Sequence, residues 1–177
     1  MSSGLNKFIS EESVNLHKKY LEDLKLKYSI LEKSIPEIKD MDMRSLQNAR
    51  IKHYKKEVME LKYNIMCHDL YFSSFGQEYQ SSEVVKKLYR SEASFLYELY
   101  NMAKCCKNGG FLLICVEKGK IYTHIGHNMF DAYIRQTPVL AIDLCEHTYF
   151  LDYEFNKDLY IERALKYINL NKIDKFL

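Results

Sequence analysis

The chain has 177 residues, enough for one compact unit or two small lobes sharing a core. Hydrophobic residues make up 47% of it, and 26 Lys and Arg against 24 Asp and Glu leave a formal charge of +2, too balanced for a nucleic-acid surface or a membrane-binding one. No stretch approaches the about 20 apolar residues of a membrane span, and the start, MSSGLNKFISEES, lacks the apolar run of a signal peptide, so the expectation is a cytoplasmic protein.

Ser10 is a good N-cap, with Ser13 an alternative in the same turn, and Glu11 and Glu12 suit the positive end of a helix dipole. Val14, His17, Leu21, Leu24 and Tyr28 follow a three-to-four spacing and predict one helix face, with Pro36 ending that helix or its extension. A second long helix is expected from about Ser45 to Phe75. Val58, Leu61, Ile65, His68 and Phe72 form its stripe, and Gly76 closes it. Two such helices make an antiparallel hairpin. A third helix fits Ser81 to Cys106, with Val84, Leu88, Phe95, Leu99 and Met102 inward, before Asn108-Gly109-Gly110 breaks the pattern.

The period then changes. Phe111 to Glu117 and Ile121 to Ile125 flank Lys118-Gly119-Lys120 and predict a β-hairpin; Pro138 to Leu144 suggests a third strand. A last helix fits Lys157 to Leu170, with Tyr160, Ala164, Tyr167 and Ile168 on one side. The whole is α+β: an N-terminal antiparallel helical hairpin (residues 1–76) followed by an α/β lobe (77–177) with a small three-stranded antiparallel sheet. With 15 Tyr, 9 Phe and no Trp, the aromatic core must come from Tyr and Phe. Cys67, Cys105, Cys106, Cys115 and Cys145 form no CxxC pair, which disfavours a zinc knuckle and predicts free thiols in a reducing compartment.

The chemistry concentrates in Ile142-Asp143-Leu144-Cys145-Glu146-His147. A strand end opening into a helical turn brings Asp143 and His147 to one side. Asp and His suit iron or manganese, which accept mixed oxygen and nitrogen donors. Alone, the pair is weak evidence, because such spacings arise by chance and more often form an ordinary surface hydrogen bond. His17 and His68 each lie on the apolar face of a predicted helix, where an imidazole needs a partner. For either one alone, a backbone carbonyl suffices. For all four residues together, one metal ion satisfies three nitrogens and a carboxylate at once.

The run from Gln136-Thr137-Pro138 through Ile142-Asp143-Leu144-Cys145-Glu146-His147-Thr148-Tyr149-Phe150 to Asp152-Tyr153 resembles the C-terminal signature of iron/manganese superoxide dismutases. Phe8 to His17 is similar to the start of that family's first helix, Asn64 to Phe72 to its second-helix ligand segment, and Asn108-Gly109-Gly110-Phe111 to its glycine-rich strand start. The resemblance implies a helical hairpin followed by an α/β lobe, with the metal between them held by His17, His68, Asp143 and His147. It implies one iron or manganese ion per subunit, with iron favoured by the short loop before Gln136. Superoxide is the implied substrate, converted to dioxygen and hydrogen peroxide. A homodimer is implied in which Glu146 hydrogen-bonds the partner's equivalent of His147. Candidates to hold solvent at the metal are His127, Asn128 and Asn64, and Lys25 or Lys157 would draw the anion in.

The departures are specific. Leu21 and Lys25 stand where the family has a histidine and a tyrosine at the substrate funnel, and Phe150 replaces that histidine's tyrosine partner. Cys145 and Phe111 stand in place of tryptophans, and the thiols of Cys67 and Cys145 neighbour ligand positions. The rival expectation is therefore a superoxide dismutase-like metal-binding protein with weak or no dismutase activity, acting as a structural or partner-binding protein. A third is another metal-dependent oxidoreductase using a nearby thiol.

Overall fold

The computed structural model describes residues 4–39, 44–126 and 136–177, the side chains of 35–39 and 44–49 excepted. After a 3-10 turn at Gly4–Lys7, helix α1 spans Glu11–Lys39 and α2 spans Arg44–Ser73, packed side by side as the expected hairpin. Ser10 caps α1, its Oγ accepting the Ser13 N–H at 3.1 Å. Ser13 serves a different purpose, as described below. Pro36 does not stop α1, which runs on to Lys39: the proline removes one backbone donor in the last turns of a helix already 29 residues long. Val14, His17, Leu21 and Leu24 are buried as the spacing predicts.

In α2 the expected stripe is only half-buried apart from His68; the deep face is Tyr63, Cys67 and Tyr71. The reason is that α2 packs against α1 on one side and against the sheet on another. Gly76 is not its closing residue. The helix ends at Ser73, and the Gly76 N–H instead donates to the Tyr167 carbonyl at 2.9 Å.

The expected single helix over Ser81–Cys106 is two, α3 (Glu83–Leu88) and α4 (Glu92–Cys105). Tyr89 turns extended, and the Ser91 hydroxyl accepts from Ser94 N–H to cap a new helix. The break rotates α3 relative to the expected face: Val85 is buried in place of Val84, and Leu88 is exposed. Phe95, Leu99 and Ala103 carry the inward face of α4, with Met102 half-buried.

The sheet has strands β1 (Phe111–Glu117), β2 (Lys120–Gly126) and β3 (Thr137–Asp143) in the order β2-β1-β3, all antiparallel. Lys118 (φ 48°) and Gly119 (φ 76°) form the two-residue turn between β1 and β2, both left-handed, as a tight hairpin requires. Pro138 is tolerated because β3 is an edge strand and its register with β1 shifts beside Cys115. The outer edge of β3 is not left open: Ala141 N–H donates to Ser74 Oγ at 2.8 Å, and Ser74 Oγ in turn donates to the Leu70 carbonyl at 2.7 Å.

Helix α5 (Glu146–Tyr153) follows directly, then α6 (Lys157–Leu165) and the short α7 (Asn171–Asp174). The last helix thus ends five residues before the expected Leu170, though Tyr160, Ala164 and Ile168 are buried as expected. Asp174 accepts from Ser82 Oγ and from the N–H groups of Glu83 (3.0 Å) and Val84 (3.3 Å), tying the chain's end to the start of α3. One apolar cluster joins the helical hairpin, the sheet and the C-terminal helices, with Phe8, Tyr71, Leu112, Ile142 and Tyr160 among its members.

Candidate metal centre

Four elements bring the four sequence-predicted residues together. His17 comes from α1, His68 from α2, and Asp143 and His147 from the end of β3 and the first turn of α5. The start of α1 is pinned to α5: Asp152 accepts from the Ser10 N–H (2.9 Å) and the Ser13 hydroxyl (2.6 Å), and the Tyr153 hydroxyl donates to the Phe8 carbonyl. This fixes His17 opposite His147.

Asp143 Oδ2 is the common point. It lies 3.3 Å from His17 Nε2, 3.6 Å from His68 Nε2 and 3.2 Å from His147 Nε2. Yet Asp143 Oδ2, His17 Nε2 and His68 Nε2 are buried without hydrogen-bond geometry to any described group. The donors converge on a shared space instead of pairing. Each residue offers one donor atom, and the four atoms lie within 4.8 Å of one another. Donors held about 2.1 Å from a single ion lie up to about 4.2 Å apart, so small side-chain shifts suffice to enclose one. Orphaned buried polar atoms and a three-nitrogen, one-oxygen donor set both fit a first-row metal such as iron or manganese.

The surroundings prepare these atoms to bind. The Asn64 carbonyl lies 2.7 Å from His68 Nδ1 and can only accept, so the ring proton sits on Nδ1 and Nε2 keeps its lone pair. Burial holds the His68 imidazole below its ordinary pKa, which favours that neutral form. Burial alone would raise the Asp143 carboxyl; the imidazoles of His147 and His17 outweigh it and hold the group ionised. Its Oδ1 accepts the Cys145 N–H at 2.9 Å, leaving Oδ2 for the centre. Behind it, the Tyr160 hydroxyl bonds the Asp143 carbonyl at 2.8 Å and the Tyr71 hydroxyl at 3.3 Å. Burial pushes both phenols well above their ordinary range, so both stay protonated.

Residues 77–176, more than half of the chain, match the family model for the C-terminal domain of iron/manganese superoxide dismutases. The chain belongs to this family. Over 179 aligned residues it is 25% identical to superoxide dismutase (Fe) of Aquifex pyrophilus and 24% identical to superoxide dismutase (Fe) of Aquifex aeolicus (strain VF5). Each alignment covers 94% of this chain and 83% of the relative. A helical hairpin followed by a small antiparallel sheet with helices is consistent with the superoxide dismutase fold.

The other site residues expected from the superoxide dismutase resemblance fare unevenly. Asn64 touches His68 through its backbone, and it also lines a groove between α1 and α2 with Lys27, Ile30 and Leu61. The Lys25 ammonium is paired with Asp69 at 3.0 Å. Lys157 donates to the Cys106 carbonyl at 2.5 Å and lines a cleft of about 380 Å³ beside Cys145, Glu146 and His147. His127 and Asn128 lie outside the described residues. Leu21 is buried and apolar. Cys67, Cys115 and Cys145 are free, and burial pushes each thiol up to about 12.

Sequence reasoning did not reach Tyr20, Tyr71 or the pairing of Tyr160 with Asp143. Tyr20 packs on His147 and His68, with ring centroids 4.9 and 5.5 Å away, and Tyr71 packs on His17 at 5.1 Å. A signal existed for Tyr20 and Tyr71: each follows a site histidine by three residues, one turn along the same helix.

Proposed function

We propose that this protein is a superoxide dismutase that binds one iron ion per subunit through His17 Nε2, His68 Nε2, His147 Nε2 and Asp143 Oδ2. The observation that carries this reading is the set of buried, unpaired donor atoms from three elements aimed at one space. The named function of the Aquifex relatives supports iron over manganese. A redox-active ion held there supplies the one-electron chemistry that oxidises one superoxide to dioxygen and reduces another to hydrogen peroxide.

The chain's own residues do the rest. Asn64 holds the His68 tautomer through its carbonyl, the Cys145 N–H holds Oδ1 of the Asp143 carboxylate, and the Tyr160 hydroxyl holds the Asp143 main-chain carbonyl behind it. Phe111, Tyr71 and Phe72 pack against the inner imidazoles and keep bulk water from them. Lys25 and Lys157 place positive charge near the centre, though Asp69 offsets the first. Candidates to hold solvent at such an ion are Asn64 and, outside the described residues, His127 and Asn128.

Residues 1–76 act as a helical hairpin domain and 77–177 as an α/β domain, with the metal between them. Two copies associate through Glu146 and His147. Both are exposed, and Phe150 and Leu151 beside them on α5 are exposed as well, an apolar surface of the kind that a partner covers. A cytoplasmic location is part of this reading, since a reducing compartment keeps cysteines as the free thiols found here.

The test is metal analysis of the purified protein alongside its superoxide decay rate, repeated for His17→Ala, His68→Ala, Asp143→Ala and His147→Ala. One iron per chain with measurable dismutation is expected, and each substitution should remove most of the metal. A fully loaded wild type that consumes no superoxide would overturn the enzymatic reading in favour of a structural, metal-binding role.

A further inference from the structure

His147 differs from the other two histidines of the centre. His17 and His68 are buried, while the His147 side chain is 38% exposed. His17 is backed by the rings of Tyr71 and Phe72 (5.1 and 5.2 Å), and His68 by Phe111 (5.0 Å). His68 is further fixed by its hydrogen bond to the Asn64 carbonyl. His147 has neither kind of support from the interior. Beyond the two histidines of the site, the aromatic ring against it among the described residues is Tyr20.

The rings of His68 and His147 face each other nearly parallel, 5.9 Å apart at 19°, and Tyr20 packs against both, tilted by 56° and 45°. Tyr20 is on α1, His68 on α2 and His147 on α5, so one side chain spans the three helices on the solvent side of the donor set. Its 41% exposure shows that it sits at the boundary and not in the core. A half-exposed imidazole on the first turn of a helix turns freely about its side-chain bonds unless a neighbour blocks that motion. Within one subunit Tyr20 is that neighbour, and the proposed contact of His147 with Glu146 of a second copy would add to it.

We infer that Tyr20 is a positioning residue that closes the solvent side of the centre and holds the His147 ring in its binding orientation. This rests on the metal reading above. The ring carries the effect through packing, and its hydroxyl is not needed. The consequence is slow release of the ion: departure begins with the most exposed donor swinging away, and Tyr20 obstructs that first movement.

The experiment is iron loss from the loaded, full-length protein on challenge with excess EDTA, followed as chelated iron over time. Removing a group that orients a metal donor commonly costs about tenfold or more in affinity. Tyr20→Ala should therefore lose iron about tenfold faster than wild type. Tyr20→Phe should match wild type, and Tyr20→Leu should fall between them. The metal-free Tyr20→Ala protein should melt near the metal-free wild type, because the ring is at the surface. Equal loss rates for wild type and Tyr20→Ala overturn the inference, and so does Tyr20→Phe behaving like Tyr20→Ala. If loaded wild type retains neither iron nor manganese through desalting, the metal reading itself has failed and the inference falls with it.

Discussion

Replacing Tyr160 by Phe tests the support behind the Asp143 carboxylate without touching any group of the metal centre. The Tyr160 hydroxyl has one proton and two neighbours, the Asp143 carbonyl at 2.8 Å and the Tyr71 hydroxyl at 3.3 Å. The shorter contact takes the proton, because a carbonyl can only accept; Tyr71 then donates to the Tyr160 oxygen. Phe fits the same space and removes only the oxygen. It leaves a buried carbonyl without one donor and a buried Tyr71 hydroxyl without its acceptor. Each orphaned group costs about 1–3 kcal/mol, and the β1 ladder beside Asp143 keeps the total toward the low end, at about 2–3 kcal/mol. In a chain of this size that is a fall of about 4–12 °C in Tm. Urea unfolding of the metal-free protein should show a lower midpoint with an unchanged slope. Adding Tyr71→Phe should then cost less than it does in the wild type, since the orphaned hydroxyl is gone, giving a coupling of about 1 kcal/mol. A Tyr160→Phe effect under about 0.5 kcal/mol, or strict additivity with Tyr71→Phe, would refute the assignment.

Two further perturbations probe the frame around the centre. Burial would raise the Asp174 carboxyl, but hydrogen bonds from Ser82 and from the Glu83 and Val84 N–H groups outweigh it and lower the pKa. A lowered folded-state value means stability present above the ordinary carboxyl value of about 3.9 and lost as pH falls through the folded value. Asp174→Ala should thus cost about 1 kcal/mol at pH 7, and its urea midpoint should converge on wild type as pH falls through the lowered folded-state value, below the ordinary carboxyl range. Among the thiols, Cys105 is exposed, while Cys67, Cys115 and Cys145 have values pushed up to about 12 by burial. Iodoacetamide at pH 8 should alkylate Cys105 first, and those three should resist until urea unfolds the chain, as peptide mass spectrometry would show.

The features legible in the sequence were those written in local period and chemistry. His17 and His68 stood out as imidazoles on apolar helical faces, and Asp143 with His147 as a strand end running into a helix. Lys118-Gly119 specified its turn because few residues tolerate two successive left-handed positions. Ser91 was harder. Its capping pattern, Ser91-Glu92, sits inside an apolar period that runs on from Leu88 to Phe95, so the face looked continuous across the break. The α2 face is not legible in a single stripe, because that helix packs against two partners, α1 and the sheet. Tyr20 looked like an ordinary surface residue. Its role depends on α5 arriving from about 130 positions later, and no local pattern encodes that contact.

The spacing of the four donors along the chain has a consequence for how the centre is born. His17 and His68 are made about 75 residues or more before Asp143 and His147. A nascent chain ending before β3 offers at most two imidazoles and no carboxylate, a poor trap for any ion. The Asp152 tether from α5 to Ser10 and Ser13 also waits until α5 has been made. On the proposed metal reading, ion capture therefore follows the synthesis of β3 and α5.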